Sequence, residues 1–114
     1  MSTPKRTPEA MLARLAFYRS HEKFPDADWI NRELPTPDEA QRQKMNQAVN
    51  DFIDFLNVLI EQGDTEPEEF KENIQGYVDA WDVLHYSTDE IDFIIDVECA
   101  VMRVVGVDCS ELAL

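Results

Sequence analysis

The chain has three glycines among 114 residues, two cysteines and, beyond residue 44, only two Lys/Arg side chains. Each scarcity removes a class of protein. So few glycines leave no phosphate-cradling loop and argue against a many-turned β architecture, whose tight turns call on the left-handed backbone that glycine supplies. Cys99 and Cys109 match no zinc-ligand spacing, and His21 and His85 have no nearby cysteine to join. The expectation is a reduced, cytoplasmic chain with no bound metal and no cofactor. Long apolar runs are missing as well. The opening MSTPKRTPEAMLARLAFYRS carries basic residues and only broken apolar runs, so neither a signal peptide nor a membrane span is read there. No low-complexity segment and no internal repeat interrupts the pattern.

What is present fits one folded domain over residues 1–114, with 1–6 expected to be disordered. The hydrophobic content of 44% is that of a globular protein rather than an acidic tail, and the length suffices for a core without metal or disulfide staples. The net charge of −14 is unevenly spread. Residues 1–44 hold eight Lys/Arg and seven Asp/Glu, whereas residues 45–114 hold Lys71 and Arg103 against seventeen acids. A field of this sign repels nucleic acid and anionic membrane, and it attracts basic proteins.

Punctuation places four helices. Thr7-Pro8 opens the first, which carries Met11, Leu12, Leu15 and Phe17/Tyr18 towards Phe24 and stops at Pro25. The link FPDADWINRELPTP is expected to wrap the domain, anchored by Trp29, Ile30 and Leu34, with room for one helical turn. Thr36-Pro37-Asp38-Glu39 reads as an N-cap, a first-position proline and a capping-box glutamate, followed by a stripe from Met45 to Ile60 and a stop at Gly63. The third helix is read from Thr65, with Glu68 as its box partner, to about Tyr86, its stripe including Phe70, Ile74, Tyr77, Val78, Trp81, Leu84 and His85. The fourth begins at Ser87 with Glu90 three residues on, and ends near Gly106. Short connections make a compact antiparallel α-helical bundle the natural packing, with VDCSELAL folding back through Val107 and Leu112.

Helix four carries the most informative pattern. Asp89, Asp92, Asp96 and Arg103 fall within an arc of about 60°, while most of the remaining surface is apolar. Glu98 lies opposite, among Ile91, Ile94, Met102 and Val105, where an unpaired carboxylate costs several kcal/mol. It is expected to be a buried polar group with His85 or the hydroxyls of Tyr77 and Tyr86 as candidate partners. On helix three, Glu68, Glu72, Asp79 and Asp82 project outward, as do Asp54 and Glu61 on helix two. With Asp89, Asp92 and Asp96, those of helix three make a candidate acidic face for a basic partner.

The C-terminal third adds a resemblance. Thr88-Asp89-Glu90, Ile95, Met102, Val105-Gly106-Val107, Ser110 and Leu112, with weaker similarity over Phe52 to Ile60, resemble a family of small bacterial all-helical proteins known only as a domain of unknown function. The resemblance implies a helical fold and a bacterial or phage-related source, and it carries no activity with it.

The functional expectation is a non-catalytic protein that neutralises a basic partner such as a toxin or nuclease, as an immunity or inhibitor protein does. Electrostatic steering would come from the acidic face, with exposed aromatics such as Trp29 or Tyr86 as anchors. Two alternatives stand beside it. One is a metal-dependent hydrolase of the NTP pyrophosphohydrolase type, using Asp51, Asp54, Asp79 and Asp82. The other is a homo-oligomeric structural protein, a homodimer being possible through the apolar fourth helix.

Overall fold

Three of the helices begin where a short side chain takes over an unpaired backbone N–H in the computed structural model, which describes residues 7–63 and 66–112. Helix α1 spans Pro8–Ser20, capped by the Thr7 hydroxyl, which accepts from the Ala10 N–H at 3.1 Å. A short helix, α2, spans Asp26–Asn31 inside the link, and Trp29 is its buried residue. The long helix α3 spans Glu39–Glu61; its cap is Asp38, accepting from the Gln41 N–H at 2.7 Å, two residues beyond the expected Thr36. Helix α4 spans Pro67–Ala80 and α5 spans Thr88–Val104, followed by one 3-10 turn, η1, over Cys109–Glu111. The expectations for residues 1–6 and for Thr65 as a cap lie outside the described residues.

The start of α5 matches the sequence pattern in full. Ser87 Oγ accepts from the Glu90 N–H at 3.2 Å, and Glu90 Oε1 accepts from the Ser87 N–H at 2.7 Å. Glycines in the left-handed region close α3 and α5, Gly63 at φ 88° and Gly106 at φ 83°. Two expected ends fail: α1 stops at Ser20, four residues short of Phe24, and the second misses by more. The third helix of the sequence reading stops at Ala80, six residues short of Tyr86, and Trp81–Ser87 is a loop. Asp82 Oδ1 accepts from the Leu84 N–H at 3.0 Å, a local turn that competes with the helical ladder, and Gln41 Nε2 holds the loop from α3 through the His85 carbonyl at 3.4 Å. Leu84 and His85 therefore leave the apolar stripe and are exposed.

The chain is all-α, with five α-helices among the described residues. The backbones of α1, α3 and α5 approach one another most extensively, and α3 carries the core along its length from Met45 to Ile60. At about 1.5 Å per residue α3 runs roughly 34 Å, which accounts for most of the 44 Å long axis. Helix α4 leans on α3 by side chains: Phe70 and Ile74 are fully buried, and the Tyr77 ring sits 5.3 Å from Phe52 and 4.8 Å from Phe55. Phe24 and Trp29 of the link pack on Phe93 of α5, with ring centroids 4.9 and 5.0 Å apart. Trp29 is thus a core residue rather than an exposed anchor, and Ile30, expected to anchor the link, faces solvent. Val107 is buried and Leu112 packs against the same core, so the tail folds back as expected. Among the described residues no helix is long and apolar enough to cross a membrane.

Candidate functional site

The acidic side chains divide according to whether a cation of the N-terminal segment reaches them. Arg19 grips Asp54 with Nε at 2.8 Å and Nη2 at 3.2 Å, a two-point contact that draws the Asp54 carboxyl below its ordinary range. Arg32 Nη2 donates to Asp96 at 2.6 Å while its guanidinium lies 4.0 Å above the Phe93 ring. Arg42 pairs with Asp26. Two carboxylates of the sequence reading, Asp54 and Asp96, are therefore already neutralised within the chain. Asp96 belongs to an α1–α5 groove with Phe17 and Tyr18, not to the acidic face predicted for it.

Helix α4 keeps its charge. The segment from Glu66 to Asp82 carries six carboxylates and one cation, Lys71. Lys71 Nζ sits 3.3 Å from Glu111 of η1, so even this cation is shared with another acid. Glu68 and Glu72, one helical turn apart, line a groove of about 450 Å³ together with Glu69 and Glu111. The sequence reading singled out neither Glu69 nor Glu111. Asp79 is exposed on the same helix and accepts from Gln75 Nε2 at 2.9 Å. Asp82 is spent on the loop, holding the Leu84 N–H and lying 3.4 Å from His85 Nε2. Asp89 and Asp92 are exposed near the start of α5, and among the described residues neither joins an ion pair. The seven predicted carboxylates therefore do not make one continuous cluster. The structure brings Glu68 and Glu72 together, and it takes Asp96 away.

Glu98 is 2% exposed, and its Oε1 has no hydrogen-bond partner among the described residues. Burial alone pushes its carboxyl up to about 8, so the proton stays on at neutral pH. His85 is not its partner: the imidazole stands in solvent beside Asp82, because the helix that was to carry it inward ends at Ala80. Tyr86 is not its partner either, its hydroxyl donating to the Lys44 carbonyl at 3.4 Å. Burial first, then Glu98 once it is ionised, Asp51, Tyr86 and Asp54 push the Tyr77 hydroxyl up to about 12.

The cysteines meet in space although ten residues separate them. Cys99 of α5 and Cys109 of η1 lie close enough to influence each other, and burial followed by the neighbouring Cys109 thiol pushes the Cys99 thiol up to about 12. A thiol held there is a poor nucleophile at neutral pH. The four carboxylates of the hydrolase alternative do not assemble. Asp54 is bound by Arg19 and Asp82 by its own loop, and among the described residues no group of three or more His, Cys, Asp or Glu side chains is arranged to hold a metal ion. The apolar surface of α5 is largely used by the chain's own core, since Phe93, Ile94, Val101, Met102 and Val104 are all buried.

No curated protein and no solved structure matches the chain. The model of the family described as domain of unknown function DUF4844 matches residues 5–114, and the chain belongs to that family.

Proposed function

We propose that this is a non-catalytic binding protein whose acidic α4 side docks and neutralises a basic protein, in the manner of an immunity or inhibitor protein of bacterial or phage origin. The observation that carries the reading is the division of charge. Arginines 19, 32 and 42 are used internally on Asp54, Asp96 and Asp26, while Glu68, Glu69 and Glu72 face a groove whose one cation is tied to Glu111. Carboxylates left without internal cations repel one another in the free protein, and a cationic partner relieves that repulsion. Such a surface raises association rates and selects against acidic partners more than it adds affinity, so apolar anchors must supply the rest. Leu84, 89% exposed, and Val83 beside it offer these at the tip of the Trp81–Ser87 loop.

The experiment is affinity capture from lysate of the source cell and of its competitors, at low and then moderate salt, with mass spectrometry of the retained proteins. The expected result is one stoichiometric basic protein, retained by the native chain and lost when Glu68, Glu69 and Glu72 are reversed to lysine. Retention that is unchanged by the triple reversal contradicts the reading.

A further inference from the structure

A second cavity, of about 340 Å³, lies between one face of α3 and the end of α4. Three aromatic side chains line it: Tyr77 and Trp81, one turn apart, and Tyr86 across the loop. Trp81 and Tyr86 lean on each other with centroids 5.5 Å apart, and Tyr77 is held from behind by Phe52 and Phe55. The ring positions are set by packing and by the pinned loop, so the cavity exists before any ligand arrives. The Asp51 carboxylate also lines it, accepting from Gln47 Nε2 at 2.7 Å and retaining its second oxygen for another donor.

The cavity wall carries one carboxylate, Asp51, against one ammonium, Lys44, and the groups around the mouth add negative potential. Helix α4 ends at its mouth with no basic residue in the last turn, so the negative end of the helix dipole is uncompensated there. Both phenols lie in the field of carboxylates. Burial and then Asp51 and Glu90 raise the Tyr86 hydroxyl, and burial, Glu98 once ionised, and Asp51 raise that of Tyr77; at neutral pH, with Glu98 protonated, Asp51 is the carboxylate that both phenols share. Lys44 and His85 are the two basic lining groups, and His85 is matched by Asp82. Aromatic faces attract cations through their quadrupole, and a flat guanidinium stacks on a ring while offering forked donors to a carboxylate.

We propose that the Tyr77–Trp81–Tyr86 cavity, with Asp51 in its wall, is the receptor for an arginine side chain of the basic partner. Docking through this cavity would set the register of the complex, while the α4 groove supplies attraction from a distance. The proposal rests on the reading of the acidic side as a protein-docking surface, and it adds the residue type that the partner must present.

The test is a titration of ¹⁵N-labelled protein with N-acetyl-arginine amide, following the indole N–H of Trp81, with N-acetyl-citrulline amide as the neutral analogue of the same shape. The expected result is a saturable shift with the arginine probe, about tenfold weaker with citrulline, and several-fold weaker in Asp51→Asn. Lys44→Gln is expected to tighten binding about twofold by removing a like charge. Equal response to the two probes, no saturable response at all, or unchanged binding in both Asp51→Asn and Trp81→Leu would overturn the assignment. N-acetyl-lysine amide binding as tightly as the arginine probe would overturn the choice of arginine. Protein capture separates this proposal from the reading beneath it. Capture that is lost on reversal of Glu68, Glu69 and Glu72 but fully retained in Asp51→Asn and Trp81→Leu overturns the cavity assignment alone. An arginine-responsive cavity in a protein that captures no basic partner overturns the docking reading alone.

Discussion

The two ionisable groups that this fold buries are treated in opposite ways, and the regions around them differ in the same sense. Lys23, at the turn between α1 and α2, is 9% exposed, and its ammonium donates to the carbonyls of Arg19 at 3.2 Å and His21 at 3.0 Å. Glu98, in the middle of α5, is more deeply buried and leaves Oε1 unpaired. Around Lys23 the arginines find Asp54, Asp96 and Asp26; around Glu98 and along α4 the carboxylates find almost no cations. The contrast teaches where selection for stability and selection for binding act separately. A region whose charges are all matched is explained by folding alone. A region that keeps unmatched acid, against its own stability, is where an external partner is to be sought.

The largest expected effect comes from removing the unpartnered carboxyl of Glu98. The Glu98 carboxyl stands at about 8 in the folded chain against an ordinary value of 4.5, so the folded state holds the proton more tightly than the unfolded state. Stability is therefore full below pH 4.5 and declines as pH rises towards about 8, reaching a penalty of about 3 kcal/mol at pH 7. Glu98→Met should remove that penalty, raise the melting temperature by about 10 °C at pH 7, and flatten the decline between pH 5 and 8. Calorimetry across this range checks it; an unchanged pH profile would show that Glu98 is not the titrating group.

The mirror-image change at the matched site should act with the opposite sign. Lys23→Met keeps the aliphatic stem but withdraws the donors from two carbonyls, and a loss of about 1–2 kcal/mol is expected in urea unfolding. A gain in stability at Lys23 would break the comparison. Ser87→Ala removes one half of the capping box of α5 and should cost about 1 kcal/mol, with loosening of the Trp81–Ser87 loop visible in hydrogen exchange. Smallest of all, Glu68→Lys and Glu72→Lys should leave stability within about 0.5 kcal/mol or raise it slightly, because both side chains are exposed and lie among like charges. A large loss there would mean that the α4 acids are structural.

The local part of this picture was legible in the sequence. Caps at Thr7 and Ser87, the glycine stops at 63 and 106, and the stripe of α3 depend on neighbours within one or two turns. So does the position of Glu98 on the apolar side of α5, which follows from helical spacing alone. What escaped was nonlocal. Trp81, Leu84 and His85 continue the apolar period of α4, and only the grip of Gln41, from 44 residues away, and the turn at Asp82 show why the helix ends before them. The pairing of Arg19 with Asp54 and Arg32 with Asp96 spans 35 and 64 residues. No periodicity reveals such pairs, so counting acids overstated the acidic face at Asp96 and missed Glu69 and Glu111, whose importance comes from lining one groove.

One measurement tests the central claim most directly: mapping of amide shifts in ¹⁵N-labelled protein titrated with an octa-arginine peptide at about 150 mM salt, where the screening length is about 8 Å. The account predicts saturable shifts confined to α4, the Trp81–Ser87 loop, η1 and the α3 face around Asp51, spreading to Asp54 and Asp96 only when Arg19 and Arg32 are replaced by glutamine. Shifts distributed evenly over the acidic residues, or centred on α1 and α2, would contradict it.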